Sequence, residues 1–207
     1  MFITFEGIDF SGKSTQIQLL KEHLTGKGKE VLVIREPGGG EIEEKIRNIL
    51  LDKKNLEMTA ETEILLFSAS RAQLVRKTIV PSLEKGIIVI SDRFHDSTTA
   101  YQGYGRLLPL ETVMKISEFA IRGAIPDITF FIDIPVEEAR KRKFAHGQDT
   151  LDRIEKMDDL FFNRVRQGYL TIAGSEKRFR VLNGCEKKDD VHEMILNELK
   201  RAGLTNV

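Results

Sequence analysis

Residues 7–14 read Gly7-x-x-x-x-Gly12-Lys13-Ser14, an ungapped P-loop, and no other stretch restricts the fold so strongly. A short apolar run, Phe2-Ile3-Thr4-Phe5, leads into it, and Ile17, Leu20 and Leu24 follow at the spacing of one helix face. The pattern predicts strand, loop and helix in that order. Glycines let backbone N–H groups turn inward around phosphate oxygens, and the helix N-terminus adds partial positive charge. The cradle for a nucleoside triphosphate is therefore expected in Gly7, Ile8, Asp9, Phe10, Ser11, Gly12, Lys13, Ser14 and Thr15. Within it Lys13 is expected to reach the β- and γ-phosphates and the Ser14 hydroxyl to ligate Mg²⁺.

The rest of the chain alternates strand and helix patterns. The first helix is expected from Ser14 to about Leu24, ended by Gly26 and Gly28. Val31-Leu32-Val33-Ile34 reads as a strand covered on both faces. It opens into the loop Arg35-Glu36-Pro37-Gly38-Gly39-Gly40. Ile42, Ile46, Ile49 and Leu50 mark a second helix, and Thr59 is placed to cap a third that carries Ile64, Leu65, Phe67 and Leu74. Pro81 is expected to end or kink it before the strand Ile87–Ile90. After that strand come Asp92-Arg93 and the polar runs Asp96-Ser97-Thr98-Thr99 and Tyr101-Gln102-Gly103. A helix over Leu110–Ile121, a strand over Ile128–Ile134 and a helix from Val136 follow. The latter becomes strongly basic at Arg140-Lys141-Arg142-Lys143 before a polar stretch from His146 to Asp152. Phe161, Val165 and Tyr169 share a helical face, Phe179–Leu182 is a last strand, and Val191–Leu199 a last helix.

This alternation predicts an α/β fold of the P-loop NTPase type: a doubly wound, mainly parallel five-stranded sheet flanked by helices, with a short lid. Ligands in such sheets collect at the carboxyl ends of the strands, where each of these loops falls. With 207 residues and no linker pattern, a single domain is expected. Lys and Arg number 32 and so do Asp and Glu, a balance that argues against a nucleic-acid or membrane-surface partner. The one cysteine, Cys185, excludes an internal disulfide framework, and Met1 runs directly into strand rather than a signal segment. A cytoplasmic protein is expected.

A P-loop specifies the donor, not the reaction. An Asn-Lys-x-Asp base-reading segment, as a GTPase requires, is missing from the sequence, and the strand at Ile87–Ile90 leads to an acid beside a base rather than to paired acids. An arginine at that strand end, Arg93, faces the P-loop cleft and suits a second, receiving phosphate. The basic run with Arg153 resembles a mobile lid whose arginines could stabilise charge developing on a transferring phosphoryl group. The four histidines are scattered without metal-ligand spacing and receive no role.

Five further motifs stand in order behind the P-loop: Glu36-Pro37-Gly38-Gly39, Leu66-Phe67-Ser68-Ala69-Ser70-Arg71, Asp92-Arg93-Phe94, Ala100-Tyr101-Gln102-Gly103 and Asp152-Arg153-Ile154-Glu155. Together they resemble the thymidylate kinase family, from the P-loop to about Tyr169. The resemblance implies transfer of the γ-phosphoryl of ATP to dTMP, with Mg²⁺, in a nucleoside monophosphate kinase domain whose lid spans about 140–153. It implies that Phe67 stacks on thymine, Arg71 donates to a thymine carbonyl and Thr98 addresses the N3 edge. Arg93 would hold the acceptor phosphate, Tyr101 would crowd C2′, Asp9 would meet the 3′-hydroxyl, and Asp92 would sit near Mg²⁺ with Ser14. Glu36, Pro37, Ser97 and Gln102 complete the implied substrate site, Lys13, Arg140, Arg142 and Arg153 the implied catalytic set, and the Glu36–Pro37 peptide is implied to be cis. A homodimer is the family's usual state. Phe10 stands where one subgroup carries arginine, Gly40 where threonine or serine is usual, and Asn183 where aspartate is usual. Two other readings remain open on the residues alone: another nucleoside or nucleoside monophosphate kinase of the same fold, for example one acting on deoxynucleosides, for which Arg93 would have little to hold, and a nucleotide-binding module without transfer.

Overall fold

The computed structural model describes residues 1–146 and 151–203. Its sheet has five strands, β1 (Phe2–Glu6), β2 (Val31–Arg35), β3 (Ile88–Asp92), β4 (Ile128–Asp133) and β5 (Phe179–Asn183), in the order β2-β3-β1-β4-β5. Every pairing is parallel. From β1 the chain passes outward to β2, returns to β3, then crosses to β4 and β5 on the other side. The direction of winding therefore reverses at the crevice between the ends of β1 and β3, where such sheets bind ligands.

Helices cover both faces. α1 (Lys13–Gly26) packs Ile17, Leu20 and Leu24 against Ile3, Phe5, Ile90 and Phe130 of the sheet, joined by Val191, Ile195 and Leu199 of the last helix, α9 (Lys188–Arg201). On the opposite face, Phe161, Val165 and Tyr169 of α8 (Asp159–Ser175) meet Phe131 and Tyr101. α2 (Glu41–Leu51) and α3 (Ala60–Leu74) follow the β2 loop, and the Thr59 side chain caps α3 by accepting from Thr62 N–H.

Several expectations are modified. Among the described residues β2 is an edge strand paired only with β3, and Val33 is 36% exposed rather than covered on both faces. β3 runs to Asp92 because Ser91 and Asp92 pair with β1 and β2 despite their polarity. Pro81 does not end the helical run; a π-helical stretch, Val75–Ile79, carries α3 into α4 (Val80–Glu84). The polar run after Arg93 is helical too: α5 (His95–Thr98) continues as a π-helical stretch over Thr99–Gly105. α6 (Leu110–Ile121) falls where its pattern predicts, and α7 (Val136–His146) carries the basic run of the expected lid. Within that lid, residues 147–150 lie outside the described residues.

Candidate active site

A cavity of about 710 Å³ opens at the β1/β3 crevice and gathers most of the sequence-predicted residues into one chamber. One wall is the P-loop. Gly7 has φ 140°, and a Cβ there would come 2.5 Å from the Ile132 carbonyl oxygen, so only glycine fits. Asp9, Phe10, Gly12, Lys13, Ser14 and Thr15 face the cavity. Ile8 and Ser11 instead turn their side chains into the protein, where they are 2% exposed. Lys13 Nζ donates to the carbonyls of Gly7 (3.1 Å) and Ile8 (3.0 Å). Burial and the neighbouring Arg93 charge push its pKa down to about 8. Ser14 Oγ donates to Asp92 Oδ2 at 3.1 Å, so a hydroxyl and a carboxylate oxygen converge at the cavity wall.

Opposite stands Arg93. Its backbone has φ 71°, a conformation that costs a non-glycine residue roughly 1–2 kcal/mol and that concentrates at functional sites. The guanidinium is held from several sides. Nη2 donates to Asp9 Oδ1 (2.6 Å) and Tyr101 Oη (3.1 Å), and Nη1 donates to the Gly7 carbonyl (2.8 Å). Its carbon lies 5.0 Å from the Tyr101 ring centroid. Burial would lift the Asp9 carboxyl, but Arg93 and Lys13 outweigh it and hold Asp9 below the ordinary range.

The second end of the cavity is built on Arg71, 1% exposed. Its Nε donates to Glu36 Oε2 (2.6 Å), Nη1 to Thr98 Oγ1 (2.7 Å) and Nη2 to the Phe94 carbonyl (3.2 Å). Glu36 and Pro37 are joined by a cis peptide, as expected. Glu36 Oε1 is buried without a partner among the described residues, an acceptor for a donor arriving in the cavity. Phe67, Ser97 and Gln102 also line this chamber.

The lid arginines separate by position. Arg142 lines the cavity, donating to the Gly184 carbonyl at 2.9 Å and lying near the Phe10 carbonyl of the P-loop at 3.4 Å. Arg140 lines a neighbouring cavity that shares Asp9 and Phe10 with the first, and pairs with Asp159 at 2.9 Å. Arg153 is 8% exposed and bound to Glu63 at 2.6 Å and to the Leu50 carbonyl at 3.0 Å; it lines no part of the cavity. The resemblance implies a place over the phosphates for it; in this structure a buried carboxylate, Glu63, holds it. Asp152 and Glu155 line the cavity, and burial lifts both carboxyls above their usual range. Lys143 donates to the Glu155 carbonyl, tying α7 to this segment.

Sequence reasoning passed over Arg47. It lines the cavity beside Arg35, and both donate to the Pro37 carbonyl, at 2.7 Å and 3.0 Å. Its position on α2 reads as an ordinary exposed helix charge, so only the loop it reaches reveals it.

A P-loop, a lid arginine and an arginine facing the P-loop across one chamber define a nucleoside monophosphate kinase. A family model described as thymidylate kinase matches residues 5–195. The chain is 48% identical over 209 residues to thymidylate kinase of Chlorobium phaeobacteroides, covering 97% of this chain and 95% of that one. It is 51% identical over 195 residues to that of Thermosipho melanesiensis, covering 94% and 95%. A crystal structure of thymidylate kinase from Ehrlichia chaffeensis superposes with a TM-score of 0.78 at 37% identity, covering 97% of this chain and 98% of that one. The chain belongs to the thymidylate kinase family, which phosphorylates dTMP to dTDP with ATP as donor.

Proposed function

We propose the following division of labour for the transfer from ATP to dTMP. The observation that carries it is the shared cavity, in which Lys13 and Ser14 face Arg93, Phe67 and Arg71. The triphosphate lies along the P-loop, with Lys13 on its outer phosphates. Ser14 and Asp92 would hold Mg²⁺, which would neutralise charge on the donor phosphates. A phosphate oxygen of dTMP attacks the γ-phosphorus, a P–O bond forms to it, and the bond to the bridging oxygen of ADP breaks. No protein nucleophile is required. Catalysis is positioning and electrostatics: Arg93 grips the acceptor phosphate and Arg142 covers the transferring group.

Thymine stacks on Phe67 and is read at its polar edge by Arg71 and Thr98, whose orientations Glu36 and each other fix. Tyr101 closes the space beside C2′ and so sets the preference for deoxyribose, while Asp9, hydrogen-bonded to it, meets the 3′-hydroxyl. Glu36–Pro37 and Gln102 form the rim, and Arg47 and Arg35 hold it in place. The chain acts as one kinase domain in the cytoplasm and as a homodimer; the exposed apolar residues of α2, α3 and α6 support the last.

The test is ADP release with Mg-ATP across dTMP, dUMP, UMP, CMP, AMP and GMP, with thymidine as control. Strong preference for dTMP is expected. Preference for thymidine would transfer the reading to a nucleoside kinase and remove the role of Arg93, and release with none of them would favour a binding module.

A further inference from the structure

One fully buried carboxylate takes no part in the transfer as described. Glu6 ends β1 and is 0% exposed. Its Oε1 accepts the Phe94 N–H at 2.8 Å. Its Oε2 accepts the Ser97 hydroxyl at 2.6 Å and the Tyr169 hydroxyl at 2.8 Å. Both hydroxyl oxygens lie 3.3 Å from Arg93 Nη1, the same nitrogen that donates to the Gly7 carbonyl. A hydroxyl has a single proton, and once that proton is given to Glu6 its lone pairs are free to face the guanidinium.

We propose that Glu6 is a positioning residue for phosphoryl transfer: it orients the Ser97 and Tyr169 hydroxyls as acceptors and so fixes the face that Arg93 presents to the acceptor phosphate. This rests on the reading of Arg93 given above. The geometry makes the device sensitive to one proton. With Glu6 anionic, the three clustered oxygens share two protons and both can point at the carboxylate. A third proton closes a ring in which each hydroxyl also accepts a hydrogen bond, because Ser97 Oγ and Tyr169 Oη lie 2.8 Å apart, so each has one lone pair fewer to turn to Arg93. Burial, with a smaller push from Asp96, lifts the Glu6 carboxyl to about 7, while Arg93, Ser97 and Tyr169 pull it down. Lys13 and Arg178 also bear on it from α1 and from the segment before β5.

Glu6→Gln keeps the shape and reverses the polarity. The Phe94 N–H demands the amide oxygen, so the amide N–H₂ faces the hydroxyls; one hydroxyl hydrogen can pass to the other oxygen, 2.8 Å away, and the remaining one is turned toward Arg93. Turnover at saturating substrate is expected to fall on the order of 10- to 100-fold, as for other small misplacements of a reacting group. The KM for dTMP should stay within about threefold and nucleotide binding at the P-loop should be unchanged. The wild-type acid limb near neutrality should vanish in the variant, whereas a limb from the substrate phosphate, near pH 6, would be common to both. Wild-type turnover with an unaltered limb, or a loss of activity that only tracks a lower melting temperature, would overturn the proposal. Tyr169→Phe gives an independent reading should Glu6→Gln fold poorly. It removes one donor to the anion, so turnover should drop several-fold and the acid limb should move to higher pH; no change in either would also overturn it. In an Arg93→Ala background Glu6→Gln should cost little more, and full additivity would count against a route through Arg93. Normal turnover of Arg93→Ala alone would instead strike at the acceptor-phosphate reading.

Discussion

His95 shows how a single side chain can set acid stability without entering the chemistry. It lies beside Asp96 and Arg178, with Nε2 3.3 Å from Arg178 Nη2. Burial, opposed by Asp96 and reinforced by Arg178, pushes its pKa down to about 4. The unfolded chain takes up that proton near pH 6.5, the folded one only near pH 4, so between these values the unfolded state binds more protons. Stability from this group is therefore complete above pH 6.5 and declines as the pH falls, by up to about 3 kcal/mol. Asp96, held low by His95 and Arg178 against its burial, acts in the same direction. Glu6 acts oppositely, since its raised pKa makes the folded state bind more protons between 4.5 and about 7. The comparison of wild type with His95→Gln isolates the histidine. Urea midpoints measured from pH 7 to pH 4.5 should show the wild-type advantage shrinking toward acid, and a gap independent of pH would refute the assignment.

Among elements, α3 is the anchor to which other segments are tied. Its Glu63, 1% exposed, receives Arg153 (2.6 Å), Arg106 (3.0 Å) and Gln102 (2.9 Å), joining the end of the lid and the π-helical stretch to one carboxylate. Burial would lift that carboxyl, but Arg106, Gln102 and Arg153 together hold it below the usual range. Arg153→Met should cost roughly 2–3 kcal/mol, less than the loss of an isolated buried pair because Arg106 remains. At 2–4 °C per kcal/mol the melting midpoint should fall by about 4–12 °C, with turnover of the folded enzyme close to wild type. Arg142→Ala should do the reverse, slowing turnover and barely moving the melt. Loss of turnover without loss of stability in Arg153→Met would support the catalytic role inferred from sequence. The Glu63 anchor of Arg153 was not legible in the sequence, for a physical reason. Arg140, Arg142 and Arg153 lie in one charged region of sequence, yet the partner that buries Arg153 is 90 residues away. The P-loop and Arg93 were legible because their spacing to a strand end is local. Glu6 was not, because a carboxylate closing an apolar strand discloses nothing about the hydroxyls of Ser97 and Tyr169. The π-helical stretch Thr99–Gly105 has too few residues and too many glycines to show a helical period.

At the scale of the whole molecule, three hydrophobic clusters cover the central strands of the sheet, but several large apolar side chains of the helices stay in water. Ile42 and Ile49, seven residues apart on α2, are 51% and 47% exposed. Leu65 on α3 is 57% exposed and Met114 on α6 is 61% exposed. α3 packs against both α2 and α6, so these residues belong to neighbouring helices. Burial of such side chains gives about 1.5–3 kcal/mol each, and a two-fold interface counts every contact twice. The same helices carry Arg47, Phe67 and Arg71 into the cavity, which ties the proposed dimer mechanically to the acceptor end of the site. Light scattering should therefore give twice the chain mass at micromolar concentration. Ile49→Glu combined with Leu65→Glu should shift it to the monomer, because a charge in a desolvated apolar contact costs several kcal/mol. The monomer should show a raised KM for dTMP, since α2 and α3 lose the contact that steadies them, while ATP binding at the P-loop, on the far side of the cavity, should be spared. A wild-type chain that scatters as a monomer, or a double variant that remains dimeric, would remove α2 and α3 from any such interface.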